Sequence, residues 1–326
     1  MLKKYLLYGI CGCLLTLIAC NKDEEEVTEP SYADADWFCI PDKPGEFNQL
    51  AYDIYTETGV ALFVNDTLGE EYYAKDASGN PLIRQEMFNV SYMLFGNTVD
   101  QAKALMEYVV QSSDTPAMVT AANLIRERVI PHLPQKGTAR PKCYFLVDSV
   151  NMQKFVGIPG HQVIGGIAIT DTCVIPVTAK AALKGVAVGQ LDRINEMSEE
   201  EQHVWCGRIL GSKITAWLLE RADLSNWYNI SEQAGVSYNR NYGSATVVAK
   251  NDPKLYGMLR WYIDHEHYKV SFPQDQDVTE FIAYVYAYRG READFVAKYS
   301  EYENVIQKFD MMCAYVSAFE REVGIR

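Results

Sequence analysis

The chain predicts an α+β fold, with strands gathered in the first half and helices in the second. Two observations carry this. Short apolar, strand-like runs stand at Gly59–Val64, Lys142–Val147, Val163–Ile169 and Cys173–Val177. Helix-start signals stand at Ser198 with Glu201, Thr98 with Gln101, and Thr115-Pro116. No proline- or glycine-rich linker interrupts the chain after residue 37, so residues 37–326 read as one domain.

The first 36 residues have a different character. Residues 1–19 join a short basic end, Lys3-Lys4, to an apolar run too short for a comfortable membrane span, as in a secretory leader. The run closes on Leu17-Ile18-Ala19-Cys20, which resembles a bacterial lipobox and implies cleavage before Cys20 and lipid on its sulfur. Residues 20–36, opening Asn21-Lys22-Asp23-Glu24-Glu25-Glu26 beyond that cysteine, form a solvated acidic tether. The run also resembles the acidic signal that sends Bacteroidetes lipoproteins to the cell surface. The expectation is an outer-membrane, lipid-anchored protein on the cell surface, with the periplasmic face as the alternative.

From Trp37 onward the elements follow in order. Gly59–Val64 reads as a buried strand, and Asp76-Ala77-Ser78-Gly79-Asn80-Pro81 as a loop. Thr98 opens a helix with Val99, Ala102, Leu105, Met106 and Val109 on one face. Thr115, as cap, and Pro116 open another, which Pro131 ends. Lys142–Val147 and Val163–Ile169 are strands. Cys173–Val177 is a strand demoted to a sheet edge by Pro176. Gly157–His161 is a turn. The helix capped by Ser198 runs to about Arg221 and is the most strongly punctuated in the chain. Asp252-Pro253 starts a further helix, and Asp277–Arg289 forms the next. The last helix sets Ile306, Phe309, Cys313, Val316 and Val323 on one stripe.

Composition narrows the function. A formal net charge of -13 disfavours nucleic acid and anionic membrane as partners. Twenty-two tyrosines suit a sugar- or protein-binding surface, but scattered core tyrosines are the plainer account. Of eight cysteines, Cys39, Cys143, Cys173, Cys206 and Cys313 remain after the leader and the lipidated residue. Five in an exported protein leave at least one thiol free or paired across chains. There is no CxxC spacing, and most of the five lie in apolar runs as small core residues. His265-Glu266-His267 invites a metal reading, but that spacing needs extended backbone and the preceding Leu259–Asp264 run looks helical. His203 reads as a surface residue. GxSxG, Walker and GxGxxG motifs are absent from the sequence.

Several segments in order resemble one family, the zinc-binding metallopeptidase lipoproteins of Bacteroidetes, often found beside starch-utilisation-type importers. They are Tyr52–Val60, Arg140-Pro141-Lys142, Gly165-Gly166-Ile167, Trp227–Ser231, Asp277-Val278-Thr279-Glu280 and the long final helix. The resemblance covers most of the mature chain and rests on order and spacing. It implies a zincin-like metallopeptidase fold: a small mixed sheet packed on a central helix, with a helical C-terminal half. It also implies an edge strand beside that helix, able to pair with extended substrate; a plain sheet edge fits Cys173–Val177 equally well.

Family members carry HExxH on the central helix, because residues i and i+4 share a face and bring two imidazoles to one zinc. Counting back from Trp227–Ser231 places the motif on Gly211-Ser212-Lys213-Ile214-Thr215. Gly211 and Thr215 then replace the histidines and Ser212 the general base, while Glu280 falls on the third-ligand position. Asp277 and Glu280 also have N-cap and third-position spacing, which offers Glu280 a purely structural role. What the resemblance implies is a degenerate member, a pseudoenzyme without cofactor, that binds a peptide or glycan or serves a TonB-dependent nutrient importer. The alternative is an active zinc metallohydrolase with displaced ligands such as His203, His265 or His267.

Overall fold

A computed structural model of the chain describes residues 37–88, 107–157, 170–182 and 184–325. The leader, Cys20, the acidic tether, the start of the Thr98 helix, the turn beyond Gly157 and the Val163–Ile169 strand lie outside the described residues. The observed architecture is mixed α+β, with several sheets and a helical C-terminal region. Phe38–Arg326 form one compact unit.

Helix α1 (Glu46–Thr58) leads into β1 (Ala61–Phe63), turned by Gly59 at φ 70. A positive φ there suits glycine, which has no Cβ to oppose it. Strands β2 (Thr67–Lys75) and β3 (Pro81–Met87) form a separate antiparallel hairpin. Its turn is the expected loop, where the Asp76 carboxylate accepts from the amides of Ser78 and Asn80 at 2.8 Å each. Strand β4 (Glu107–Gln111) and helix α2 (Thr115–Leu124) follow. The cap of α2 is Asp114, whose carboxylate accepts from Ala117, with Thr115 and Pro116 already inside the first turn. Nor does Pro131 end a regular helix: α2 passes into a π turn at Ile125–Val129 and a 3-10 turn at Ile130–His132.

Strand β5 (Cys143–Gly157) is the spine of the main sheet. Its first residues lie parallel to β1 on one side and to β8 (Val186–Val188) on the other. Its later residues lie antiparallel to β4 and to β6 (Thr170–Val177). Strand β7 (Ala179–Ala181) pairs with β8. Among the described residues β6 pairs only with β5, so it is an edge strand, as Pro176 required.

Helix α3 (Glu199–Arg221) is the expected central helix, and Ser198 and Glu201 complete a reciprocal capping box. It is followed by α4 (Ser225–Gln233), β9 (Asn241–Gly243) and the short α5 (Val247–Lys250). Asp252-Pro253 starts only a 3-10 turn, Pro253–Tyr256, stopped by Gly257. The helix-like run before His265 is instead β10 (Ile263–Asp264), paired with β11 (Tyr268–Val270). Helices α6 (Gln274–Ala287), α7 (Glu292–Lys298) and α8 (Glu303–Val323) complete the chain.

Helix α3 lies against α6 at close range. A Cβ on Gly207 would stand 2.2 Å from the Ala283 carbonyl oxygen, so only glycine permits this crossing. On α8 the buried positions include Val305, Phe309, Met312, Val316 and Phe319. The expected stripe is therefore right at Phe309 and Val316, while Ile306, Cys313 and Val323 are only half-buried. The true stripe sits one residue earlier because Lys308 takes an inward position. Its ammonium is fully buried with Asp277, accepted at 2.5 Å, and also donates to Ser231 and Tyr238.

Candidate functional site

A cleft of about 620 Å³ opens where edge strand β6 faces α3 and α6. Val174–Val177 line one wall, and Trp205, Arg208, Thr279 and Glu280 line the opposite one. Trp205 is held by its indole N–H, which donates to the Gly189 carbonyl at 3.0 Å.

At the floor lies Glu280, 3% exposed and the one carboxylate buried in this cleft among the described residues. Arg208 grips it with two parallel bonds, Nε to Oε2 at 2.9 Å and NH2 to Oε1 at 2.7 Å. Arg260 adds Nε to Oε1 at 3.0 Å, and its guanidinium lies 4.8 Å from the Phe272 ring centroid. Burial pushes the Glu280 carboxyl upward, but the two guanidiniums outweigh it and hold the group at about 2. Glu280 is therefore a fixed anion, unable to take up a proton as a general base near neutrality.

This corrects the capping expectation. Pro273 precedes α6, and Asp277 and Glu280 both lie inside the helix, paired with the buried Lys308 and the half-buried Arg208. The expected motif positions lie on the same helix pair. Gly211 faces Thr279, where a Cβ would meet Thr279 at 3.0 Å, and Thr215 shares a 2.7 Å hydroxyl contact with the same residue. Ser212 donates to the Ile209 carbonyl of its own helix. The residue of α3 that meets Glu280 is Arg208, about one turn earlier. Sequence counting missed Arg208 and Arg260 because nothing nearby in the chain announces either as a partner of Glu280.

The fit to zinc is poor on the chemistry of the donors. Arginine has no lone pair to give, and both Glu280 oxygens are already committed to guanidiniums. Among the described residues no three His, Cys, Asp or Glu side chains stand close enough to hold a metal. His203 lies inside the fold rather than on its surface, 6% exposed. His265 and His267 bracket a β turn with ring centroids 5.4 Å apart, and His265 stacks on Tyr268 at 4.5 Å. All five cysteines are free thiols: Cys143 and Cys206 buried, Cys173 and Cys313 half-buried, Cys39 exposed. Burial pushes the thiols of Cys143 and Cys206 up to about 12, which makes them inert as nucleophiles.

Compared with protein-family models, with curated proteins and with solved structures, the chain matches none. No described helix is long and apolar enough to cross a membrane.

Proposed function

We propose that the chain is a surface lipoprotein that binds an extended ligand without cleaving it, on the frame of a zincin-like metallopeptidase. Lipid on Cys20 anchors it to the outer membrane, and the acidic tether of residues 20–36 carries the body away from the bilayer. Its work is that of a non-catalytic accessory subunit of a TonB-dependent nutrient importer. The resemblance of the ordered segments from Tyr52–Val60 to the final helix supports the frame and the setting.

The observation that carries the binding reading is the Arg208–Glu280–Arg260 cluster beneath a free strand edge. Where a peptidase needs a Lewis acid and a base, this cleft has a carboxylate held by two guanidiniums, which can only donate. Among the described residues the outer edge of β6 pairs with no other strand, the requirement for strand addition by an extended peptide. The exposed face of Arg260 and the half-buried rings of Tyr262 and Tyr284 supply side-chain contacts along the same cleft.

The test uses the full chain and an array of casein-derived decapeptides. Binding is expected without cleavage, weakened at least tenfold by N-methylation of alternate peptide amides. Arg260→Ala should weaken it as well. Elemental analysis should find zinc well below one per chain. A parent protein that holds one zinc tightly and cuts the peptides overturns the reading, as does binding only to oligosaccharides. Affinity purification from native membranes should recover a TonB-dependent importer.

A further inference from the structure

A second cavity, about 380 Å³, lies on the other flank of α3. The cleft takes Val204 and Arg208 from that helix, whereas this cavity takes Glu199, His203, Cys206 and Gly207. Its opposite walls are the π turn, which carries Arg128, and the chain after α6, which carries Arg289 and Arg291. Turns of π type are rare and are found frequently at functional positions.

The three arginines differ in how they are held. Arg289 forks onto Glu320. Arg291 donates to the Ala287 carbonyl at 3.3 Å and has no ion pair among the described residues. Arg128 has neither a hydrogen bond nor an ion pair among them, although its charge is felt at His203. The carboxylates on this wall stand at the rim, with the Glu199 side chain 80% exposed.

His203 is the independent sign of a ligand. Its side chain is 94% buried, its Nε2 stands 3.5 Å from a Glu199 oxygen, and its buried Nδ1 has no partner among the described residues. In the tautomer that turns its N–H toward the Glu199 carboxylate, Nε2 carries the proton and Nδ1 presents a lone pair. Burial, then the Arg128 charge, holds this imidazole below its ordinary value, while Glu199 and Glu200 act in the opposite sense and Arg291 in the same one. The ring is therefore neutral at pH 7. A buried lone pair of this kind calls for a donor from outside the chain.

We propose that this cavity binds a phosphate group, with Arg128 and Arg291 donating to its oxygens and a protonated phosphate oxygen donating to Nδ1 of His203. Guanidiniums match tetrahedral oxyanions through paired N–H donors. Phosphate near neutrality offers both acceptors and a proton, whereas sulfate offers acceptors only, so the site discriminates between them.

The test is calorimetric titration of the full chain at constant ionic strength with inorganic phosphate, sulfate and O-phosphoserine. Phosphate is expected to saturate one site per chain, with sulfate at least tenfold weaker. Arg128→Gln and Arg291→Gln, both at exposed residues and so safe for folding, should each weaken phosphate about tenfold. His203→Leu should remove the preference for phosphate over sulfate. Absence of saturable phosphate binding, or binding unchanged in both arginine variants, overturns the site. Equal affinity for phosphate and sulfate in the parent overturns the role of His203. O-phosphoserine binding as tightly as phosphate supports a phosphate carried on a larger molecule, and its failure beside tight phosphate supports the free ion.

Discussion

Glu280 shows how two neighbours can decide what a side chain is for. Buried alone, its carboxyl would hold a proton; between Arg208 and Arg260 it does not. Because its folded value is depressed to about 2 from the ordinary 4.5, its contribution to stability is present above pH 4.5. That contribution is lost as pH falls through 4.5 toward 2, where the folded-state group protonates. Glu280→Gln should therefore flatten the acid limb of the stability–pH curve in that window, read from urea midpoints at each pH. At pH 7, Glu280→Ala leaves two guanidiniums facing an empty floor and should cost about 3–5 kcal/mol. An acid limb unchanged in Glu280→Gln would show that other carboxylates control it. A similar pair lies deeper, where Asp277 and Lys308 are wholly buried. Burial raises the carboxyl and lowers the amine, each opposed by the other's charge. Lys308→Met alone should cost about 3–5 kcal/mol by chemical denaturation, and adding Asp277→Leu should recover most of the loss. A double variant no better than the single one would show that Tyr238 and Ser231 require the charged pair.

At the scale of elements, the crossing of α3 and α6 sets what each position can do. Gly207 admits no Cβ, and Gly211 only a tight one, so these glycines are contact points of two helices rather than vacancies. Gly211→His with Thr215→His, the change that sequence counting suggests for rebuilding a zinc site, should push the helices apart and bind no zinc. The α3 face that lines the cleft with Glu280 carries Val204 and Arg208, four residues apart and so about 6 Å along the axis. Val204→His with Arg208→His should release Oε2 of Glu280, leaving Arg260 on Oε1, and bring two imidazoles within reach of a metal at about 2.0–2.1 Å. Elemental analysis should find near one zinc per chain in that variant, and much less once Glu280→Ala is added. Zinc held equally well without Glu280 would remove it from the ligand set.

For the whole molecule, the anchor and the body are separate matters. The proposed setting depends on residues 1–36, and the cleft on residues 174–298. Cys20→Ala should release the protein from the membrane fraction or leave the precursor uncleaved, seen by fractionation and blotting. Replacing Asp23-Glu24-Glu25-Glu26 by alanines should hide a still-lipidated protein from external protease on intact cells. Unchanged protease access would reduce the run to a spacer. The whole chain carries a net charge of -13, and an acidic body held close to anionic headgroups would be repelled, which suits the proposed tether.

What the sequence determined by itself is what local chemistry controls. The α3 capping box, the Asp76 turn, the β1 run and the edge character forced by Pro176 each depend on residues a few positions apart. The mixed α+β class follows from their order along the chain. Errors arose where a distant partner decided. The cap of α2 moved only to Asp114, but the run before His265 became a strand because β11 pairs with it. His203 went inside because the π turn and the end of α6 wall it in. The site itself was the least legible part. Glu280 was visible as a position, but its partners Arg208 and Arg260 stand 72 and 20 residues away. Only the packing of α3 on α6 brings those three charges together. Charge pairing in a low-dielectric cleft depends on separation in space, and sequence spacing carries no record of it.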